Sequence, residues 1–368
     1  WAILFMIKLL KKLAFLQLFF AAFLTIYAEE SGVVKPISDV SKSVKDSQTK
    51  MRSVLFESSL PDFTPRAYDK VVSSLFKAYE SEAGFKIKPG EKGKVGLKVY
   101  TNSGAGMCTP KALVDAVISQ LVNRGYKRED ITIVDMSRRK MRECGFLPKL
   151  SQVRDGAEDS YSGVRVADIE SKQFFNKDWY YDNPLMPKNN RGMLKSIDLY
   201  NPELRKSYLP VPLFLTVDFW INLPVVTDME GLGVCAAVGN MSIWNMSNNE
   251  RFLKQPANAS MAAAEVAAIP ELKNSEIFTI LSLERGQFVG GAIFNSRCTF
   301  SEKTVLMSAN PVVIDYIAWE TLNKYRRAFR FAQIDPMPPL LNYCRELQLG
   351  DFDFRKIERK NVSPSNGR

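Results

Sequence analysis

The sequence predicts an α/β protein: a mostly parallel sheet with helices on both faces, forming a single domain with an irregular insertion. Two short apolar runs, Val95–Tyr100 and Ile131–Asp135, flank an amphipathic stretch of helical length, Pro110–Arg124. A strand, crossover helix and strand of this size imply a parallel, right-handed pair buried on both faces. Strand and helix patterns then go on alternating, over about 280 residues in all, which favours one domain over two.

The amino-terminal segment reads as a targeting signal. Residues 1–5 precede Met6 and read as upstream translation; Lys8, Lys11 and Lys12 form a basic region, and Leu13–Tyr27 is apolar but for Gln17 and Thr25. Ala28 and the acidic pair Glu29 and Glu30 complete the layout of a secretory signal peptide over residues 1–28, so the chain is expected to be secreted or periplasmic. Ile26 stands where a small residue is preferred at the cleavage site. An uncleaved signal anchor is the alternative, and would be the only membrane contact expected. Residues 29–65 are polar with little periodicity and read as a linker or amino-terminal arm, residues 66–360 as the α/β domain, and residues 361–368 as a flexible tail.

Within the domain, Val71, Val72, Leu75, Phe76 and Tyr79 have helical spacing. The strand VGLKVY leads into the loop TNSGAGMCT and then a helix bearing Leu113, Val114, Val117, Ile118 and Leu121 on one stripe. Thr109 is placed to cap that helix, with Pro110 at its first position. Residues 150–212 are irregular, rich in aromatic residues, Pro and Asn, and are expected to decorate a site or cover a sheet edge. Phe214–Pro224 reads as a buried strand, Gly231 and Gly233 as a turn, and Gly239–Asn249 as a polar segment. Ser260–Ile269 is an Ala-rich helix, Glu276–Leu283 and Lys303–Ser308 are strands, and Pro311–Phe329 and Pro339–Leu349 are helices.

Composition narrows the chemistry. The chain has no histidine, which excludes Ser-His-Asp and Cys-His catalysis and His-bound zinc. The formal charge of +10 falls to +7 without residues 1–28, which hold three Lys and no acid. The densest clusters, Arg138–Arg142 and Lys324–Arg330, suit solvated faces or last turns of helices, so no nucleic-acid partner is expected. Five widely spaced cysteines form no CxxC pair, so no metal site is signalled. In an oxidising compartment they allow one or two disulfides with at least one thiol left over; Cys144, Cys235 and Cys344 read as small buried hydrophobes.

One loop has the form of a ligand site. The amides of Gly104, Gly106 and their neighbours, with the helix start at Thr109, suit a carboxylate or phosphate, and Asp135 ends the next strand. The spacing is GxG without the third glycine of a dinucleotide fingerprint, and a plain tight turn suits it better than an anion site.

Three stretches resemble the family known as domain of unknown function 362: VGLKVYTNSGAGMCTPKALVDAVISQL with ITIVDMSRRKMRECGF, INLPVVTDMEGLGVCAAVGNMS, and ANPVVIDYIAWETL with YCRELQLGDFDFRKIE. The likeness runs over about residues 90–360. It implies a site built from Asn222, Asp228, Asn240 and Asp315, which keep the family pattern along with Pro224, Gly233 and Pro311. Thr227, Met229, Cys235, Gly239 and Asn310 stand where the family usually has Lys, His, Thr, Lys and Asp, and the His expected after Thr109 is missing. These departures imply a member that binds without turnover. The expectation is a small anionic or polar ligand in a cleft at the carboxyl ends of the strands, held by Gly104, Gly106, Thr109, Asp135, Asn222 and Asn240. The alternative is a redox or acid/base enzyme with Asp228 and Asp315 as its carboxylates, which are expected to act on ligand and not on stability. The sequence names no cofactor and leaves catalysis open.

Overall fold

The computed structural model describes residues 50–150, 160–171, 175–185, 202–253 and 256–364, all within one compact unit, Asp46–Arg368. The expected signal segment, most of the expected arm and parts of the insertion, with Pro187, Asn189 and Asn190, lie outside the described residues. In chain order the elements are β1 (Val54–Ser59), α1 (Pro65–Ala83), β2 (Val95–Val99), α2 (Lys111–Val122), β3 (Ile131–Asp135), α3 (Arg138–Glu143), β4 (Ser160–Tyr161), β5 (Val164–Asp168), β6 (Phe175–Asp182), β7 (Lys206–Pro210) and β8 (Phe219–Leu223). There follow β9 (Val226–Met229), β10 (Gly233–Cys235), α4 (Ala237–Met241), α5 (Glu250–Leu253), α6 (Pro256–Ala267), α7 (Pro270–Ser275), β11 (Glu276–Ser282), β12 (Gly286–Gln287), β13 (Thr299–Phe300), β14 (Thr304–Ser308), α8 (Pro311–Ala328), α9 (Pro339–Glu346) and β15 (Glu358–Asn361).

Nine strands form the main sheet in the order β15-β1-β14-β11-β8-β2-β3-β5-β4. Its pairings are parallel from β11 through β8, β2 and β3 to β5, as the crossover reading predicts, while β14 and β4 run against their neighbours. Side-chain alternation sorts each central strand between two cores. Val95, Leu97, Val99, Ile131, Ile133, Ile221 and Leu223 join the stripes of α1 and α2 on one side. Trp220 and Val134 join α6 and α9 on the other, and α8 packs over Leu281 and Leu306. The caps explain why α1 forms where it does: Thr64 accepts from Ala67 N–H at 3.3 Å, Pro65 occupies the first turn, and Gly84 closes the helix at φ 74°. Among the described residues no helix is long and apolar enough to cross a membrane.

Several expectations need correction. Val54–Ser59, read as linker, is a buried strand between β14 and β15. At the other end the expected tail begins inside β15, and Val362 N–H donates to Glu57 O. The irregular insertion supplies β5, a buried strand of the main sheet, as well as the antiparallel pair β6 and β7. The strand expected over Phe214–Pro224 is confined to β8, with a 3-10 turn at Val211–Leu213 before it. A second sheet, β10-β9-β12-β13, had no visible pattern because two of its strands are two residues long.

Candidate functional site

The chemistry gathers on one face of the central strands, toward their carboxyl ends. Lys98 of β2, Asn222 of β8, Thr279 of β11 and Ser308 of β14 are register neighbours, a polar rung laid across four strands. All four are buried. Lys98 Nζ donates to Asp135 Oδ1 at 2.6 Å, Val99 O at 2.7 Å and Asn240 Oδ1 at 3.0 Å, so its three protons are all engaged. Asp135 Oδ2 accepts from the Thr101 N–H at 2.6 Å and the Thr101 hydroxyl at 2.5 Å. Asn240 Nδ2 donates to Asn222 Oδ1 at 2.8 Å; Asn222 Nδ2 donates to Ala237 O at 2.9 Å and Thr279 Oγ1 at 3.1 Å; Thr279 donates to Glu276 Oε1 at 2.7 Å.

Asp135, Asn222 and Asn240 are therefore joined, through Lys98, in one enclosed network. Burial pulls the Lys98 ammonium below its ordinary pKa, opposed by the Asp135 charge and hydrogen bond. Burial also pushes Glu276 up to about 7, opposed by the Thr279 hydrogen bond and the Arg52 charge. The chain invests in a fixed buried array here, since a lysine enclosed in a central strand is costly unless paired.

The loop after β2 rises from this network through Thr101. Gly104 holds φ at 77°, and the Gly104 and Met107 N–H groups bond within the loop, to Thr101 O and Gly104 O. The tip, Ala105 and Gly106, is exposed, and its two N–H groups make no hydrogen bond among the described residues. Two cations approach it, each beside an acid. Arg285 donates to Ala105 O at 3.1 Å and pairs with Glu284 at 3.3 Å. Lys140 Nζ and Glu143 Oε2 lie 3.6 and 3.5 Å from where a Cβ on Gly104 would sit, and pair with each other at 3.1 Å. Gly106 is small for another reason: the Phe294 ring lies 2.5 Å from the position of a Cβ there. Thr109 does not cap α2. Its hydroxyl accepts from Tyr100 N–H at 2.8 Å and donates to Leu223 O at 2.6 Å, tying the carboxyl ends of β2 and β8 together, and α2 starts at Lys111 without a side-chain cap.

The two carboxylates named as an acid/base pair lie apart in function. Asp228 on β9 accepts from Gly291 N–H at 2.8 Å and pairs with Arg326 at 2.7 Å. Asp315 on α8 accepts from Ala237 N–H at 2.5 Å and Val238 N–H at 3.2 Å, capping the start of α4. Burial pushes Asp315 up to about 8, against those two donors. Asp315 and Arg326 are eleven residues apart on one helix, about 16 Å along its axis, so Asp228 meets α8 far from Asp315. Asn310 caps α8 by accepting from Val312 and Val313 N–H groups, and its amide also donates to Asp351 O at 2.7 Å, a bond that aspartate cannot make. Gly239 leaves no room for a longer residue, because Cys235 Sγ lies 2.3 Å from the place of its Cβ.

A cavity of about 320 Å³ opens at the opposite, amino-terminal ends of the strands, lined by Lys94, Glu129, Thr132, Arg165, Phe175 and Val217. Lys94, Glu129 and Arg165 on its wall are exposed and mixed in sign. Among the described residues no group of three or more Cys, Asp or Glu side chains is placed to hold a metal ion. Sequence reasoning missed Lys98, Glu276 and the cations Lys140 and Arg285. A single lysine inside the apolar run VGLKVY was the available signal for the first.

No family model matches the chain, and no curated protein matches it. Among solved structures it is similar to a crystal structure of a Thermotoga maritima protein, at 11% identity and a TM-score of 0.35, over 73% of this chain and 59% of that one. The chain thus spans about three fifths of that protein's length.

Proposed function

We propose that this protein binds a small anionic ligand at the tip of the loop after β2, at the carboxyl end of the sheet. The observation that carries this reading is an exposed tip whose Ala105 and Gly106 N–H groups bond to no described residue, with Arg285 on the Ala105 carbonyl and Lys140 beside Gly104. Amides and fixed cations together hold carboxylate or phosphate groups without a metal. In this reading Asp135, Asn222 and Asn240 form the rigid floor that holds the loop, and Thr109 the tie beneath it. An acid/base enzyme using Asp228 and Asp315 is the weaker reading, since one carboxylate is ion-paired and the other enclosed. The likeness of the strand, loop and helix opening to the domain of unknown function 362 family supports a site at this loop, and the leader-like run Leu13–Tyr27 supports an exported protein.

Thermal melts with inorganic phosphate, pyrophosphate and citrate test the proposal, against sodium chloride at matched ionic strength. At least one anion is expected to raise the melting temperature by roughly 2–5 °C at saturation. The paired substitution Lys140→Glu with Arg285→Glu should abolish the rise. No stabilisation beyond the salt control by any of the three anions overturns it.

A further inference from the structure

We propose that the loop after β12 and the end of α8 form a surface that binds anionic phospholipid bilayers, with Ile293, Phe294, Phe329 and Phe331 entering the headgroup layer and Arg297 and Arg330 facing lipid phosphates. Gln287, buried in β12, shapes the loop from inside. Its amide donates to Gly291 O at 3.0 Å and Ile293 O at 2.8 Å, and its Oε1 accepts from Asn295 N–H at 2.7 Å. A loop pinned in this way leaves its tip outside, where Ile293 is 80% exposed and Phe294 is exposed beside it. Arg326 sets the end of α8 against the loop: it donates to Phe288 O at 2.8 Å, Ala332 O at 2.8 Å and Asp228 Oδ2 at 2.7 Å, while Asp228 Oδ1 accepts from Gly291 N–H at 2.8 Å. Phe329 and Phe331, both exposed, pack on the Phe288 ring with centroids 5.1 and 5.8 Å away. The exposed apolar side chains of the two segments therefore adjoin.

Charge selects the partner. Residues 286–301 and 321–334 hold five cationic side chains and no acid. The acids packed against them are engaged, Glu302 with Lys324 and Asp228 with Arg326. Asp335 follows the second stretch, and positive charge still prevails. Arg297 and Arg330 are exposed and enter no ion pair among the described residues. Attraction of such arginines to an anionic leaflet adds to the burial of apolar tips, and the two together hold a protein on a bilayer surface. A second copy of this chain would set arginine against arginine. A nucleic acid would gain nothing from Ile293, the most exposed large hydrophobic side chain among the described residues, because an aliphatic tip gives a base no face to stack on. Hydrocarbon accepts it directly. The surface stands apart from the anion reading, since it uses none of Ala105, Lys140 and Arg285.

Vesicle co-sedimentation of the full chain tests the proposal. Vesicles of phosphatidylcholine alone are compared with vesicles that also contain about 30% phosphatidylglycerol, and binding to the second is expected to be about tenfold stronger. Ile293→Ser with Phe329→Ser, and separately Arg297→Glu with Arg330→Glu, should each weaken that binding about fivefold, with melting temperature unchanged. The first pair keeps the net charge, so its effect reports insertion and not the general attraction of a basic chain. A lipid monolayer of the same composition gives a second reading on the unsubstituted protein, whose insertion should raise the surface pressure; this decides the matter even where a variant fails to fold. Equal binding to the two vesicle types, binding undiminished by the apolar pair, no rise in surface pressure, or binding of a fluorescent single-stranded oligonucleotide with none to the anionic vesicles overturns the proposal.

Discussion

Asp228 and Asp315 are the same residue type, both look like site carboxylates in sequence, and the fold treats them oppositely. Asp228 keeps 15% of its side chain in water and faces an arginine. Asp315 has no exposure and no cation, only two peptide N–H groups. The first can lose its partner and be rehydrated; the second cannot. Burial without a counter-charge, rather than the carboxylate itself, is what makes an acid structural here.

Asp135 supplies the limiting case, an enclosed carboxylate that does have a cation. Lys98→Ala would strand it in the interior, and the expected loss is about 3–5 kcal/mol in urea unfolding. If the loss is below about 1 kcal/mol, water reaches the network and enclosure is not what distinguishes these acids.

Asp315→Ala orphans two buried N–H groups, so a loss of about 2–3 kcal/mol is expected, contrary to the expectation from sequence that stability would be untouched. The pH dependence sharpens the point. Asp315 and Glu276 are pushed up to about 8 and about 7, from ordinary values of 3.8 and 4.5. Between those limits the folded chain retains protons that the unfolded chain has released. Stability from this source is therefore fully present in acid and falls as pH rises toward 8. Melting temperature should decline from pH 5 to 8, and Asp315→Asn should flatten that slope; an unchanged slope assigns the protons elsewhere.

The smallest effect is expected at Asp228. Its replacement by Ala removes a partly solvated ion pair and one bond to Gly291, at about 1 kcal/mol, and raised salt should shrink even that difference. A loss as large as that for Asp315→Ala would erase the contrast between the two sites.

What was readable in the sequence was local. The β2, α2 and β3 unit and the helix from Pro311 each announce themselves within about twenty residues, through periodicity and turn residues. What was not readable depends on partners distant in sequence. Val54–Ser59 is a strand because Thr304–Ser308 and Glu358–Asn361 lie on either side of it. Lys98 is a network centre because Asn240 comes to it from 142 residues away. Thr109 had the right type and place to cap α2, yet tertiary structure spends its hydroxyl on Leu223. Gly106 belonged to a ligand-like motif, but the crowding that keeps it small comes from Phe294.

The position of β1 also orders events in time. Its neighbours on the two sides are joined to it across 254 and 302 residues, so during synthesis this segment waits, unpaired on both edges, until Thr304–Ser308 and Glu358–Asn361 have followed. A hydrophobic strand left open in that way invites pairing with other chains. The main sheet thus closes around Val54–Ser59 only once Glu358–Asn361 has been made.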